Sequence, residues 1–187
     1  STSPLGGHFV DQALAIDIVA NACKKLGLKL YVKEHPRIVN RTESRTKAFY
    51  DQLLIHENVE LIDSNTDSKT LIDSSICVAS VTGTVNFEAI FRRKRSISFG
   101  NRFYNAFDMV SVVGCEKTAV EAISFALSGE SKITNIDIDY CLSALDEFLI
   151  DAFLVEGDDD IATVSRSVSD QNIVKRAESF LLLDTSI

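Results

Sequence analysis

Short apolar runs rich in β-branched residues alternate with longer segments of helical periodicity, and this alternation constrains the fold more than any other feature of the chain. Phe9 to Leu26 places apolar residues at helical spacing and closes on Lys24-Lys25-Leu26-Gly27, basic residues followed by glycine, a helix stop. Leu28 to Val32 then reads as a strand. The pattern predicts further helices over 45–55, 67–74, 85–92 and 117–127, with strands over 59–62, 75–81, 96–99 and 109–113. Beyond these, 140–154 and about 170–183 are helical in pattern. Strands separated by helices at this spacing give parallel βα units. The expected class is α/β, a Rossmann-like parallel sheet with helices on both faces and a helix-rich C-terminal tail.

Composition divides the chain. Residues 1–133 carry 16 Lys and Arg against 15 Asp and Glu, whereas residues 134–187 carry 3 against 12, so the formal charge of −8 resides in the tail. Residues 1–133 are thus expected to form the sheet domain and residues 134–187 an acidic helical extension packing on it. No broad basic face is available to neutralise many phosphates, so nucleic acid is not an expected partner. No apolar run reaches the roughly 20 residues of a spanning helix. No signal-peptide pattern or initiator methionine opens the sequence, which reads as a segment of a longer chain. Cys23, Cys77, Cys115 and Cys141 are widely spaced and form no CxxC pair, which reads as reduced, buried thiols of a cytoplasmic protein and predicts no metal site.

In open parallel sheets, ligands bind beyond the carboxyl ends of the strands. At one such end, Ser80-Val81-Thr82-Gly83-Thr84 leads into a helix, where backbone N–H groups and two hydroxyls suit an anion. N-capping by Thr82 or Thr84 is the plainer alternative. At another end stands His35-Pro36, with Lys33, Arg37, Arg41, Arg45 and Lys47 around it. Pro36 restricts His35 to extended backbone and projects the imidazole from the sheet edge, where it can bind an anion or transfer a proton. Glu88, one turn beyond Thr84, is placed to accept from vicinal sugar hydroxyls. Phe103 and Tyr104, in the loop from Gly100, are candidate base or sugar contacts, or else plug the edge of the core. His8 and His56 are read as structural or exposed. Arg92-Arg93-Lys94-Arg95 reads as a solvated helix terminus.

Four stretches in order, Tyr31–Arg37, Leu71–Ser75, Val81–Ile90 and Ser98–Tyr104, resemble one family, the C-terminal, donor-binding half of capsular-polysaccharide glycosyltransferases of the GT-B fold. These are relatives of CMP-Kdo transferases and of bacterial sialyltransferases with an HP motif. The resemblance covers roughly residues 8–113. It implies a nucleotide-sugar donor, CMP-linked by preference, transferred to a glycan acceptor with no obligatory metal or other cofactor. His35 would contact the donor phosphate and stabilise the leaving nucleotide, with Pro36 and Arg37 beside it. Thr82, Gly83 and Thr84 would form the hydroxyl-rich phosphate motif, and Glu88 would hold the ribose. Two departures stand out: Asn86 where many relatives have glycine, and Arg92–Arg95 in place of a Gly-Lys-Pro turn. The acceptor domain, home of the family's catalytic base, lies outside the sequence, so binding without turnover is expected. A sugar-nucleotide epimerase-like domain and a non-catalytic interaction module are the competing readings. A peripheral location at the inner membrane face is compatible with the resemblance.

One expectation concerns the sheet centre. A strand should precede the first helix in this fold class, and Ser1–His8 offers no apolar alternation to supply it. Self-association or an unusual strand order is expected there.

Overall fold

The computed structural model describes residues 12–35 and 45–149. The chain divides into two compact units, residues 1–133 and 134–187. Within the first, the order is α1 (Gln12–Lys25), β1 (Leu30–Lys33), α2 (Lys47–Leu53), β2 (Val59–Ile62), α3 (Ser68–Ser74), β3 (Cys77–Ser80), α4 (Val85–Phe91), β4 (Arg95–Ser98), β5 (Val110–Val112) and α5 (Glu116–Leu127). The second unit contributes α6 (Asn135–Leu149). The expected helix at 170–183, the segment 150–154, and His8 all lie outside the described residues.

Every strand pair is parallel, and the fold is Rossmann-like α/β with flanking helices. The strands form two sheets, β1-β2 and β3-β4-β5. Leu30 registers with Val59 in the first, Cys77 with Arg95 and Ser96 with Val110 in the second. β1 and β3 each carry an edge with no ladder partner among the described residues.

The two sheets share one core. Ala15, Val19, Ala22 and Cys23 of α1 pack with Ala119 and Ile123 of α5 over Ile97, Phe99 and Val113, while Leu30 and Cys77 close the sides. The small residues of α1 allow the close approach of helix to helix and sheet. His56 Nε2 lies 2.6 Å from Asp17 Oδ1, and Asn58 Nδ2 donates to Ala20 O at 2.9 Å, so α1 also carries β2. His56 is structural, as its sequence context suggested.

The termini follow local chemistry. Asp67 caps α3 by accepting from Thr70 N at 2.9 Å. Thr118 Oγ1 accepts from Cys115 N at 3.2 Å and starts α5 one residue earlier than its apolar pattern. Thr134 N and Oγ1 both donate to Asp137 Oδ2 at 2.7 Å, starting α6 at Asn135 rather than Tyr140.

Two expectations need correction. Cys115 is exposed and Cys77 half-buried; only Cys23 and Cys141 are buried. The basic run is not a solvated terminus, because each of its side chains is engaged. Arg92 grips both carboxylate oxygens of Asp73, with Nε to Oδ1 at 2.7 Å. Arg93 Nη1 donates to Ile133 O at 3.1 Å, and Lys94 Nζ to Ser75 O at 2.8 Å. Arg95 donates to the carbonyls of Ser131 and Asp108, each at 2.9 Å, and lies over the Phe125 ring. Arg93 takes φ 57°, the left-handed conformation that favours glycine, at the turn where relatives were expected to carry one.

Candidate functional site

The site is built from the loop after β3. Ser80 ends the strand, and its Oγ accepts from Gly83 N at 2.7 Å, closing a tight turn. Two neighbouring backbone bonds fix the base of that turn: Phe99 N donates to Ser80 O at 3.2 Å, and Gly100 N to Val81 O at 2.8 Å. Tyr104 reaches in from a single 3-10 turn (Phe103–Ala106), and its hydroxyl donates to Gly83 O at 2.9 Å. Asn86, fully buried on α4, donates from Nδ2 to Ile97 O at 3.0 Å. Thr82-Gly83 is thus held from beneath by β3, β4 and the 103–106 turn.

Position 83 leaves little room for a side chain. A Cβ there would sit 2.6 Å from Ser80 Oγ. Thr84 occupies the N-cap of α4 with helical backbone and makes no side-chain cap bond. Its Oγ1 donates instead to Glu88 Oε1 at 3.2 Å. The capping alternative therefore does not account for Thr84.

A cleft of about 340 Å³ lies between the ends of β1 and β3, lined by His35, Lys33, Ser80, Thr82 and Gly83 with Gln12 of α1. The two strand ends singled out from sequence thus open onto one cavity. Arg45 also lines it but is already neutralised. Its Nε lies 2.6 Å from Glu34 Oε1, Nη2 contacts Gln12 Oε1, and the guanidinium stacks on Phe49. Lys33 Nζ uses one donor on Ser68 Oγ at 3.3 Å, leaving it two more. The fixed positive charge of the cleft lining with donors to spare therefore rests on Lys33, with the His35 imidazole beside it, less than the count of basic residues suggested.

The remaining candidates fall in different places. Pro36, Arg37 and Arg41 lie outside the described residues. Glu88 is half-buried and paired with Thr84, away from the cleft lining. Phe103 is exposed and packs edge-on against Phe87 at 5.3 Å. Tyr104 is fully buried, so it braces the loop rather than offering a face to a base. Burial holds its phenol above the usual range. The bracing pair Asn86 and Tyr104 was missed as such in the sequence; an asparagine inside the apolar run Val85–Phe91 was its signal.

Among the described residues no cluster of three His, Cys, Asp or Glu side chains is placed to hold a metal ion, and no helix is long and apolar enough to cross a membrane. The family model for capsule polysaccharide biosynthesis proteins matches residues 5–111, more than half of the chain. The chain belongs to that family. The matched stretch of this capsule biosynthesis protein runs from ahead of α1 through β3, the Thr82-Gly83 turn and β4 into β5, and so contains the whole cleft. No curated protein and no solved structure matches it.

Proposed function

We propose that this capsule biosynthesis protein binds the nucleotide part of a sugar donor at the mouth of the β1–β3 cleft, and that it forms the donor-binding part of a GT-B glycosyltransferase. The observation that carries this reading is the convergence of His35 and Thr82-Gly83 on one cavity. An anion seated there meets an imidazole and an ammonium on one side and a hydroxyl with its rigid backbone turn on the other. A phosphate linking nucleoside to sugar has the matching chemistry. His35 stabilises the charge left on the nucleotide as the sugar departs, and Lys33 holds the same charge in place. Pro36 and Arg37 extend the phosphate contact. Glu88, with Thr84, takes the ribose, and Phe103 lies on the sugar or base side. The donor favoured by the resemblance is CMP-linked; the acceptor is a glycan, and the chemistry needs no bound metal.

Thermal unfolding in the presence of CMP, CDP, UMP, UDP and GDP tests the reading. A ligand at ten times its Kd adds about 1.4 kcal/mol of stability, well within detection. CMP should give the largest saturable shift. His35→Ala should weaken CMP binding about tenfold or more at pH 6, and Thr82→Val by less, because a bond to a charged group is worth more than a neutral one. Failure of all five nucleotides to shift the transition at millimolar concentration, or equal CMP affinity in His35→Ala, overturns it.

A further inference from the structure

One contact sets the charge of the cleft lining. Among the described residues along the cleft, Lys33 and Arg45 are cations and Glu34 is the one carboxylate. That carboxylate is not shared between them. Glu34 Oε1 lies 2.6 Å from Arg45 Nε, whereas Lys33 has no ion-pair partner among the described residues and reaches Ser68 Oγ at 3.3 Å. Backbone alternation accounts for the choice. Leu30 packs against the core that α1 and α5 share, so Val32 and Glu34 turn to that side and Lys33 turns to the other, toward the start of α3. Arg45 lies on the α1 side too, where its Nη2 contacts Gln12 Oε1.

Stability alone is a poor reason to keep this pair. Only 14% of the Arg45 side chain and 21% of that of Glu34 remain exposed, and the guanidinium lies 4.4 Å from the centre of the Phe49 ring. Taking two charges out of water offsets most of what their attraction returns, so apolar residues of similar size would hold the fold as well. What the pair does change is the field in the cleft. Glu34 cancels one of the two cations and leaves the single positive charge of Lys33 beside the His35 imidazole. A phosphate that joins two groups as a diester carries one negative charge, and a pyrophosphate joining the same groups carries two. Charge matching discriminates between such ligands.

We propose that Glu34 is a specificity-determining residue: by neutralising Arg45 it tunes the cleft to a nucleotide joined to its sugar through one singly charged phosphodiester, and against one joined through a pyrophosphate. Glu34 acts through Arg45 and does not touch the ligand. The proposal rests on the reading above that a phosphate sits at the mouth, and it gives the preference for a monophosphate donor a physical cause independent of the resemblance.

Calorimetric titration of the 187-residue chain with two cytidine ligands tests this, at low ionic strength where charges are least screened. The ligands are cytidine 5′-methyl phosphate, a monoanion, and CDP-glucose, a dianion. Glu34→Gln keeps an acceptor for Arg45 Nε and removes the charge. Because charge energy scales with the product of the charges, it should tighten the monoanion about threefold and the dianion about tenfold. Arg45→Gln leaves the Glu34 carboxylate uncompensated and should weaken the same two ligands about threefold and about tenfold. Opposite signs from the two halves of one pair cannot both come from lost structure. The double variant returns the lining to the charge of Lys33 and should bind both ligands as the parent does. Weaker binding in Glu34→Gln, or a change of equal size for both ligands, overturns the proposal and makes the pair a structural clasp, with the phosphate still bound at the mouth. A double variant no nearer to the parent than the single ones overturns it as well. Binding of neither ligand by the parent chain removes the phosphate reading itself, and this proposal with it.

Discussion

The phenolic hydroxyl of Tyr104 donates a 2.9 Å hydrogen bond to the carbonyl oxygen of Gly83, 21 positions earlier in the chain. Tyr104 is fully buried, and the loop it holds is half-exposed on its other side. A polar core residue thereby sets the shape of a surface turn.

Tyr104→Phe keeps the ring and leaves the Gly83 carbonyl without this donor, so it should cost about 1–3 kcal/mol in urea unfolding with an unchanged m-value. Asn86→Leu should cost less. It deprives the Ile97 carbonyl of a donor, but it also removes Asn86 Oδ1, which is buried with no hydrogen-bond partner among the described residues. The reverse order of the two effects would show that Asn86, not Tyr104, is the main brace.

Gly83→Ala forces a Cβ to within 2.6 Å of Ser80 Oγ, a short side chain that can yield only by rotating away from its bond with Gly83 N. Overpacking of this kind costs about 1–3 kcal/mol. In the Ser80→Ala background the same substitution should be markedly milder, and a double-mutant cycle measures the coupling. Additive effects would mean that the turn rearranges as a whole.

Arg92 binds Asp73 through paired hydrogen bonds and holds its carboxyl below the usual range. A depressed carboxyl pKa stabilises the fold above its unfolded value of about 3.9, and that contribution fades as pH falls below it. Asp73 is half-exposed, so Asp73→Asn should lower stability by less than about 1 kcal/mol at pH 7. Its stability should also fall less steeply between about pH 5 and pH 3. Parallel acid limbs for parent and variant would contradict this assignment.

The four thiols differ sharply in reactivity. Burial pushes Cys23 up to about 11 and Cys77 and Cys141 up to about 12. Exposed Cys115 is shifted down by hydrogen bonds from Thr118 at the start of α5. Iodoacetamide at pH 8 should therefore alkylate Cys115 first by a wide margin, as followed by mass spectrometry. Faster labelling at Cys23 would require local opening of α1.

Much of the fold was legible because βα alternation is a local signal. The strand 59–62 appears as expected, and α3 begins after Asp67 where its cap sits. The starts of α5 and α6 are marked in the sequence by Cys115-x-x-Thr118 and Thr134-x-x-Asp137, where side-chain caps set the boundary ahead of apolar periodicity. The opposition of His35 to Thr82 was foreseeable from the rule for parallel sheets. Long-range pairing was not. Nothing in Arg92–Arg95 announces that its four cations would be tied to Asp73, Ser75, Asp108, Ser131 and Ile133, because those partners are brought together only by the completed sheet. The neutralisation of Arg45 by Glu34 was hidden for the same reason.

The division of the strands into two sheets also sets an order of assembly. Partners in the three-stranded sheet are close in sequence, 18 positions from Cys77 to Arg95 and 14 from Ser96 to Val110, whereas Leu30 and Val59 are 29 apart. Shorter loops close at lower entropic cost. The β3-β4-β5 half can thus form as an early nucleus, and the β1-β2 half, tied to α1 through Asp17–His56 and Asn58, docks afterwards. Changes at the Asp17–His56 contact should accordingly accelerate unfolding and leave the refolding rate nearly untouched, whereas changes at Ile97 should slow refolding.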